Sequence, residues 1–164
     1  RLVAVEPTSC PTLTKGIYAY DYGDTAGLTP LMKMYTLGHD FMPPGIHAGG
    51  LRYHGASALI SQLYNEGFLE AVAVPQLETF AAGALFAKSE GIVPAPESCH
   101  AIAAVVREAK NCAQTGESKT LLFNLSGHGH FDMVSFERYM RGELNDYEYP
   151  DAAIQASLAH LPKF

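Results

Sequence analysis

The chain has 164 residues, enough for one domain with a hydrophobic core, and its 48% hydrophobic and 17% charged residues exclude a chain kept disordered by charge. The net charge of −6 and the scattered lysines and arginines exclude a nucleic-acid surface, and no apolar run approaches the ~20 residues of a membrane helix. Three cysteines without CxxC spacing give neither a disulfide framework nor a cysteine zinc site. We therefore expect a cytoplasmic protein that acts on small molecules.

The beginning of the chain predicts a short strand followed by loops. Residues 2–5 form a continuous apolar run, which is typical of a strand buried in a parallel sheet. Because the chain enters this run directly after Arg1, we expect a piece of a longer protein. Residues 7–56 contain five prolines and no sustained period, so we expect an irregular, loop-rich segment with short elements.

From residue 57 the pattern becomes regular. Residues 58–64 favour a helix and residues 71–74 a strand. Pro75 can open the next helix, because the N–H that it lacks is not needed in a first turn, and Gly91 can end it. The apolar face predicted for this helix comprises Leu77, Phe80, Ala81, Ala84 and Leu85.

The same alternation continues to the C-terminus. Residues 98–111 keep helical spacing, and the largely apolar run at residues 120–126 predicts a buried strand. Asp132 is a favourable N-cap for a further helix with Met133, Phe136 and Met140 pointing inward. Residues 143–164 form an acidic and aromatic C-terminal tail. Alternating strands and helices predict an α/β fold with a parallel sheet.

Chemistry is expected where a predicted strand ends, because ligands of open α/β sheets bind beyond the carboxyl ends of the strands. Ser126 lies at such an end and offers one hydroxyl, while Gly127 and Gly129 allow the backbone to approach a flat ligand. The pattern alone fits a glycine-rich turn equally well. Glu97 begins a predicted helix, where the helix dipole favours a carboxylate whether or not it takes part in chemistry.

Two longer motifs resemble one enzyme family. Residues 90–101 read EGIVPAPESCHA and are similar to the Glu-Gly-Ile-Ile-Pro-Ala-x-Glu-Ser-x-His-Ala segment of tryptophan synthase β chains. Residues 121–129 read LLFNLSGHG and are similar to the Asn-Leu-Ser-Gly-x-Gly strand end of that family. With the opening Val-Glu-Pro, the resemblance covers most of residues 1–145. Residues 28–41 and 46–55 resemble instead the second, β-like branch of the family.

The resemblance implies a pyridoxal-phosphate enzyme of fold type II. Residues 1–164 would be the C-terminal part of its parallel-sheet, three-layer α/β domain. The parent would be a lyase that condenses indole with L-serine to give L-tryptophan by β-replacement. Alternatives are a related enzyme that uses phosphoserine or one that eliminates from serine. The implied partners are L-serine, indole and a second copy in a homodimer, with an α subunit as a further candidate.

The resemblance also assigns the cofactor site. Ser126 would hydrogen-bond the pyridine nitrogen of pyridoxal 5'-phosphate, and a neutral hydroxyl there favours β-elimination and replacement. Gly127 and Gly129 would keep the backbone close to the ring, and Glu97 would lie beside the ring as a catalytic residue. His128 stands where the family has an arginine.

A second segment is assigned to the substrate and to a monovalent cation. Asp40 matches the aspartate of a Gly-x-Asp-Phe segment and would contact the substrate derived from serine. The backbone carbonyls of His39 and Phe41 would bind a monovalent cation. The neighbouring Met42 and Pro43 depart from the family pattern.

No lysine of this chain matches the Schiff-base lysine of the family, which lies in the family's N-terminal half. The family's glycine-rich phosphate cradle lies just before the Val-Glu-Pro strand and has no counterpart here. We expect that this chain alone neither holds the cofactor covalently nor turns over.

Two other classes of function remain open on the residues. His128, His130 and Asp132 are close in sequence and could bind zinc in a metallohydrolase. A non-enzymatic interaction domain is the other alternative, since a former interface would leave an apolar surface.

Overall fold

A computed structural model describes residues 1–163. In chain order the elements are β1 (Val3–Pro7), β2 (Ile17–Tyr22), β3 (Leu31–Thr36), a 3-10 turn (Gly49–Leu51), α1 (Ala58–Asn65), β4 (Glu70–Val74), α2 (Gln76–Glu90), α3 (Pro96–Thr115), a second 3-10 turn (His130–Asp132), α4 (Met133–Met140) and α5 (Asp151–Leu158). Of these described helices, none has both the length and the apolar character needed to cross a bilayer.

The described residues form two compact units, whereas the length of the chain favoured one. The first unit contains residues 1–45, residues 51–73 and the chain from Tyr147 onward. The second unit contains residues 46–50 and residues 74–146. Each unit has its own buried cluster of hydrophobic side chains.

β1 and β4 pair in the first unit. The backbone N–H of Glu70 donates to the carbonyl of Leu2 at 3.0 Å, so the two strands start side by side and run parallel, as predicted. Burial was expected along the whole apolar run, but Leu2 is 64% exposed and burial increases only toward Glu6 and Pro7. A strand is buried on both faces only where other layers cover both faces.

The segment predicted to be loop-rich contains a β-hairpin. β2 and β3 pair antiparallel from Ile17 opposite Thr36 to Tyr22 opposite Leu31. The Tyr18 ring stacks on the Tyr35 ring across the pair, with centroids 5.2 Å apart. Tyr18, Tyr20 and Tyr22, which occupy alternate positions in the sequence, thus lie on a β-strand. The nearby core of the unit consists of Cys10, Leu37, Phe41 and Ile154.

In the second unit α2 and α3 pack closely. Gly91 ends α2 in the left-handed conformation (φ 70°), as predicted, and α3 extends to Thr115, beyond its predicted end. The predicted apolar face of α2 is partly wrong, because Ala81 and Leu85 are exposed whereas Ala82 and Gly83 are buried. A Cβ at Gly83 would collide with the sulfur of Cys99 in α3. The close packing of α3 against α2 at this glycine therefore decides which face of α2 is buried.

The predicted buried strand at residues 120–126 is wrong. No strand among residues 1–163 includes this segment, and Leu122 is 95% exposed. An apolar run becomes a buried strand only when a neighbouring strand accepts and donates its backbone hydrogen bonds. No such neighbour pairs with it in the described part of the chain.

α4 forms where it was predicted, but its inward face is narrower. Phe136 is buried and its ring meets that of Phe80 edge-on at 5.1 Å. Met133 and Met140 are more than half exposed, so the prediction that they point inward is wrong. Asp132 occupies the N-cap position without a side-chain capping bond. A helix of two turns that packs through one aromatic ring buries little else.

Candidate functional site

Residues 126–129, here called the glycine cap, lie against residues 93–98, here called the helix start. The N–H of Ala95 donates to the carbonyl of Gly127 at 2.9 Å. The N–H of Gly129 donates to the carbonyl of Val93 at 2.8 Å. Main-chain bonds in both directions thus fix the cap beside the beginning of α3.

The two glycines of the cap lie where the helix start approaches closely. A Cβ at Gly129 would lie 2.5 Å from the carbonyl oxygen of Pro94, closer than real Cβ contacts come. A Cβ at Gly127 would lie 3.1 Å from the Cβ of Ala95. The Pro94 carbonyl therefore explains the need for glycine at position 129, whatever ligand the cap binds, while Ala95 leaves only a tight fit for a side chain at position 127.

Ser126 is joined to Ser98, near the N-terminus of α3. The N–H of Ser126 donates to the Ser98 hydroxyl oxygen at 3.1 Å, and the two hydroxyl oxygens are also 3.1 Å apart. When Ser98 donates in the second bond, Ser126 keeps its own hydrogen for another acceptor. Because Ser98 is buried and Ser126 is exposed, that acceptor can come from outside the chain.

Glu97 is held from the 3-10 turn at Gly49–Leu51. The N–H of Gly50 donates to Oε1 of Glu97 at 2.7 Å. A Cβ at Gly50 would lie 3.1 Å from that oxygen, so a side chain there would press on the carboxylate. The helix dipole at the first turn of α3 also favours this charge. Glu97 therefore has one fixed oxygen and one that remains available.

The charges of Glu97 and His128 both act on the carboxylate of Asp132. Burial, and then the charge of Glu97, raises the pKa of Asp132, while His128 and His47 lower it. The rings of His128 and His130 are 4.7 Å apart. Yet no group of three or more histidine, cysteine, aspartate and glutamate residues in the described chain could hold a metal ion. The zinc alternative therefore gains no support from the structure.

Asp40 lies in the first unit and is contacted by two histidines. His160 Nδ1 hydrogen-bonds Oδ2 of Asp40, and His39 Nε2 lies 3.5 Å from Oδ1. The other ring nitrogen of His39 lies 2.6 Å from the fully buried carboxylate of Asp21, which also accepts from the Thr36 hydroxyl at 2.7 Å. The Asp40 carboxylate is thus engaged by the side chains of its own unit.

His39 and Phe41 occupy different surroundings. The Phe41 ring belongs to the core of the first unit, and its N–H donates to the carbonyl of Gly38 at 2.9 Å. Gly38 has a φ of 95°, a conformation that favours glycine. The side chain of His39 contacts the carboxylates of Asp21 and Asp40. The cation role of the two carbonyls stays a prediction.

The sequence matches a family of known chemistry. The profile of the family described as "Pyridoxal-phosphate dependent enzyme" matches residues 1–127. The chain belongs to this family. Tryptophan synthase β chain 2 of Aquifex aeolicus is 62% identical over 146 residues, or 89% of this chain and 34% of that protein. That of Methanosarcina acetivorans is 65% identical over 144 residues, or 88% and 33%.

These relatives confirm the resemblance recognised from the two motifs. The tryptophan synthase β chain of Fervidobacterium nodosum is 65% identical over 136 residues, or 83% of this chain and 32% of that protein. The chain spans about a third of the length of the curated relatives it matches.

Pyridoxal phosphate, the cofactor that this family implies, fits the residues of the second unit. The Ser126 hydroxyl is an exposed, neutral donor of the kind that suits a pyridine nitrogen. Gly127 presents backbone without a side chain, and Glu97 keeps an oxygen free of Gly50. The donor set contains no cation, so the phosphate group finds no charged partner among these residues.

Sequence reasoning missed Ser98 and Gly50 as supports of the site. Ser98 was assigned only to the beginning of a helix, although it stands next to Glu97 in the family motif. Gly50 lies 47 residues before Glu97 in the sequence. A contact over such a separation leaves no periodic signal; only the glycine pair at 49–50 hinted at a close approach.

Cys10 and Cys99 are buried, packed side chains, whereas Cys112 is half-buried. Cys99 is buried, and desolvation raises its pKa to about 12. Burial also raises the pKa of Cys10 to about 11. Both thiols are therefore protonated at neutral pH and are poor nucleophiles.

Proposed function

We propose that this chain is part of a pyridoxal-phosphate lyase that condenses indole with L-serine to give L-tryptophan. The observation that carries the proposal is the pairing of the glycine cap with the helix start, which brings Ser126 to Ser98. The similar proteins named tryptophan synthase β chain support the choice of reaction. Pyridoxal phosphate, when bound, supplies the electron sink for replacing the β-hydroxyl of serine.

In this proposal the chain supplies one side of the cofactor site. Ser126 donates its hydroxyl hydrogen to the ring nitrogen, while Ser98 orients that hydroxyl. A neutral donor leaves the ring nitrogen unprotonated, which restrains chemistry other than β-elimination and replacement. Gly127 and Gly129 keep the backbone of the cap close to the cofactor ring. Glu97 lies beside the ring and acts as a catalytic residue, with its orientation fixed by Gly50.

Further roles rest on the resemblance alone. Asp40 would contact the serine-derived substrate, which requires its carboxylate to leave His160. The carbonyls of His39 and Phe41 would bind a monovalent cation. The chain would contribute to a three-layer domain of a homodimer, with an α subunit as a further partner.

The proposal is tested in the full-length enzyme that contains this chain. Ser126→Ala should lower tryptophan formation from indole and L-serine about tenfold, the effect of losing one hydrogen bond of roughly 1.4 kcal/mol. It should also shift the absorption maximum of the bound cofactor, because the ring nitrogen loses its donor. Ser89→Ala, at the exposed end of α2, is the matched control and should change neither quantity.

Two outcomes would overturn parts of the proposal. If Ser126→Ala behaves like Ser89→Ala in both measurements, Ser126 does not contact the cofactor. If tryptophan forms from phosphoserine and not from serine, the substrate assignment is replaced by the phosphoserine alternative.

The lysine that holds the cofactor is proposed to lie outside this chain. Hydrogen bonds to Glu148 and Asp151 raise the pKa of Lys15, and hydrogen bonds to Glu108 and Glu117 raise that of Lys119. A lysine that forms a Schiff base needs the opposite shift. Borohydride treatment of the 164-residue chain with pyridoxal phosphate should give no site-specific lysine adduct by mass spectrometry, and one dominant adduct would contradict this.

A further inference from the structure

His47 lies in the short segment at residues 46–50, which carries Gly50, and its backbone and ring both make contacts with helices of the second unit. Its Nδ1 lies 3.0 Å from the Ser135 hydroxyl, and its Nε2 lies 3.1 Å from Nη1 of Arg138. Its backbone N–H donates to Oε1 of Gln76 at 3.0 Å. Its ring meets that of Phe80 edge-on at 6.4 Å. α2 and α4 therefore both hold this residue.

The two ring contacts determine the protonation state of His47. An arginine side chain has donors only, so Nε2 of His47 accepts from Arg138. Nδ1 then carries the hydrogen of the neutral ring and donates it to Ser135. A protonated ring has no acceptor and would place a second cation against Arg138. The geometry thus requires neutral His47, and it leaves Ser135 as an acceptor rather than an activated nucleophile.

The segment from His47 to Gly50 connects this clamp to Glu97. Ala48 is buried, at 3% exposure, which anchors the segment between its two ends. Gly50 lies two residues further on, after Gly49, and donates its N–H to Oε1 of Glu97. With His47 and Ala48 fixed, the Gly50 amide has little freedom to move away from the carboxylate.

We propose that neutral His47, held between Arg138 and Ser135, is a positioning residue that fixes the Glu97 carboxylate through the Gly50 amide. The inference deepens the proposed function, because it rests on Glu97 lying beside the cofactor. Protonation of His47 breaks the bond from Arg138, loosens residues 46–50 and frees Glu97 from Gly50. The site is therefore sensitive to acid at a residue that does not contact the substrate.

The charges around His47 set the direction of this dependence. Burial, and then the positive charge of Arg138, lowers the pKa of His47 below its ordinary value of 6.5, while Asp132 raises it. Glu143 lies 3.8 Å from Arg138 and partly offsets its charge. Because the folded pKa is lowered, the clamp is fully formed above pH 6.5 and is lost as pH falls through the folded value.

The test uses hydrogen–deuterium exchange of the full-length holoenzyme, read by mass spectrometry. His47→Ala should speed exchange of the peptide covering residues 46–51 about tenfold, as expected if the hydrogen bond from the Gly50 N–H to Glu97 is lost with the clamp. His47→Gln should restore slow exchange, because an amide can accept from Arg138 and donate to Ser135. The matched control is His54→Ala, which removes a histidine bonded to the Tyr22 carbonyl.

A double-mutant cycle shows whether His47 acts through Glu97. His47→Ala should lower kcat more than it raises KM, and it should have no further effect in the Glu97→Gln background. Wild-type exchange of residues 46–51 should also rise as pH falls below 6.5, after correction for intrinsic exchange, whereas His47→Gln should show no such rise.

The outcomes separate this inference from the proposed function. Unchanged exchange of residues 46–51 in His47→Ala, or additive losses with Glu97→Gln, would overturn the positioning role. If His47→Ala does not fold, Arg138→Met supplies the same test, because it removes the donor and leaves the ring. Exchange reports on the clamp even if the wild-type enzyme makes no tryptophan, a result that would overturn only the proposed reaction.

Discussion

The glycine cap and the segment at residues 38–41 are fixed by different kinds of bonds. Main-chain bonds hold the cap to the helix start, with Ala95 and Gly129 as donors. Side chains hold the other segment, with His39 between Asp21 and Asp40 and with His160 on the far side of Asp40. Of the cap's side chains, Ser126 pairs with Ser98 and His128 accepts from the N–H of His130 at 3.3 Å, so the cap is fixed mainly through its main chain. The other segment uses its ionisable groups to hold itself.

The difference predicts which region tolerates side-chain replacement. A region held by main-chain bonds is sensitive to an added side chain, because a new Cβ pushes the two bonded backbone segments apart. A region held by buried ionisable groups is sensitive to the removal of one partner, which leaves the others without compensation. Three substitutions test this contrast.

The largest effect is expected for Asp21→Ala in the side-chain network. It removes a fully buried carboxylate that pairs with His39 and accepts from Thr36, and it should lower the free energy of unfolding by about 4 kcal/mol. Urea denaturation followed by circular dichroism measures the loss. Asp24→Ala removes an exposed turn carboxylate with comparable local hydrogen bonds and should cost clearly less. Equal losses would show that burial of Asp21 is not what matters.

The second effect is expected for Gly129→Ala in the cap. The new Cβ would meet the Pro94 carbonyl oxygen at 2.5 Å and force the cap from the helix start, at a cost of about 2 kcal/mol. The same denaturation experiment applies, and Gly45→Ala is the control because no atom lies within 4 Å of its added Cβ. A cap variant as stable as this control would mean that main-chain pairing does not fix residues 126–129.

The smallest effect is expected for His160→Gln. The His160 side chain is 66% exposed, so its contact with Asp40 should contribute less than about 1 kcal/mol to stability. The variant should nevertheless remove the partner of Oδ2 of Asp40, and faster labelling of that carboxylate by a water-soluble carbodiimide would show this. A loss as large as that of Asp21→Ala would place His160 among the essential supports of the segment.

Local stereochemistry made much of the fold predictable. The helix beginning after Pro75 and ending at Gly91 follows from a missing N–H and a left-handed glycine. The buried face of α2 did not follow, since it depends on the collision that Gly83 avoids with Cys99. Residues 120–126 were mispredicted for the same reason, because their burial depends on a neighbouring strand.

The candidate site divides in the same way. Its composition was visible in the sequence, because the family motifs place Glu97 and Ser126 in recognisable contexts. Its supports were not visible, because Gly50 and Ser98 act across 47 and 28 residues of sequence.

The sequence by itself determined the family, the chemistry of the exposed groups and the positions of the main helices, since these depend on residue identity and on neighbours a few positions away. The tertiary structure decided which groups remain available for chemistry. Asp40 is engaged by His160 and His39, and His39 also by Asp21, whereas Ser126 and Glu97 each keep a hydrogen-bonding position for a ligand. That distinction depends on which distant atoms fill the hydrogen-bonding capacity of each side chain, and folding alone brings those atoms together.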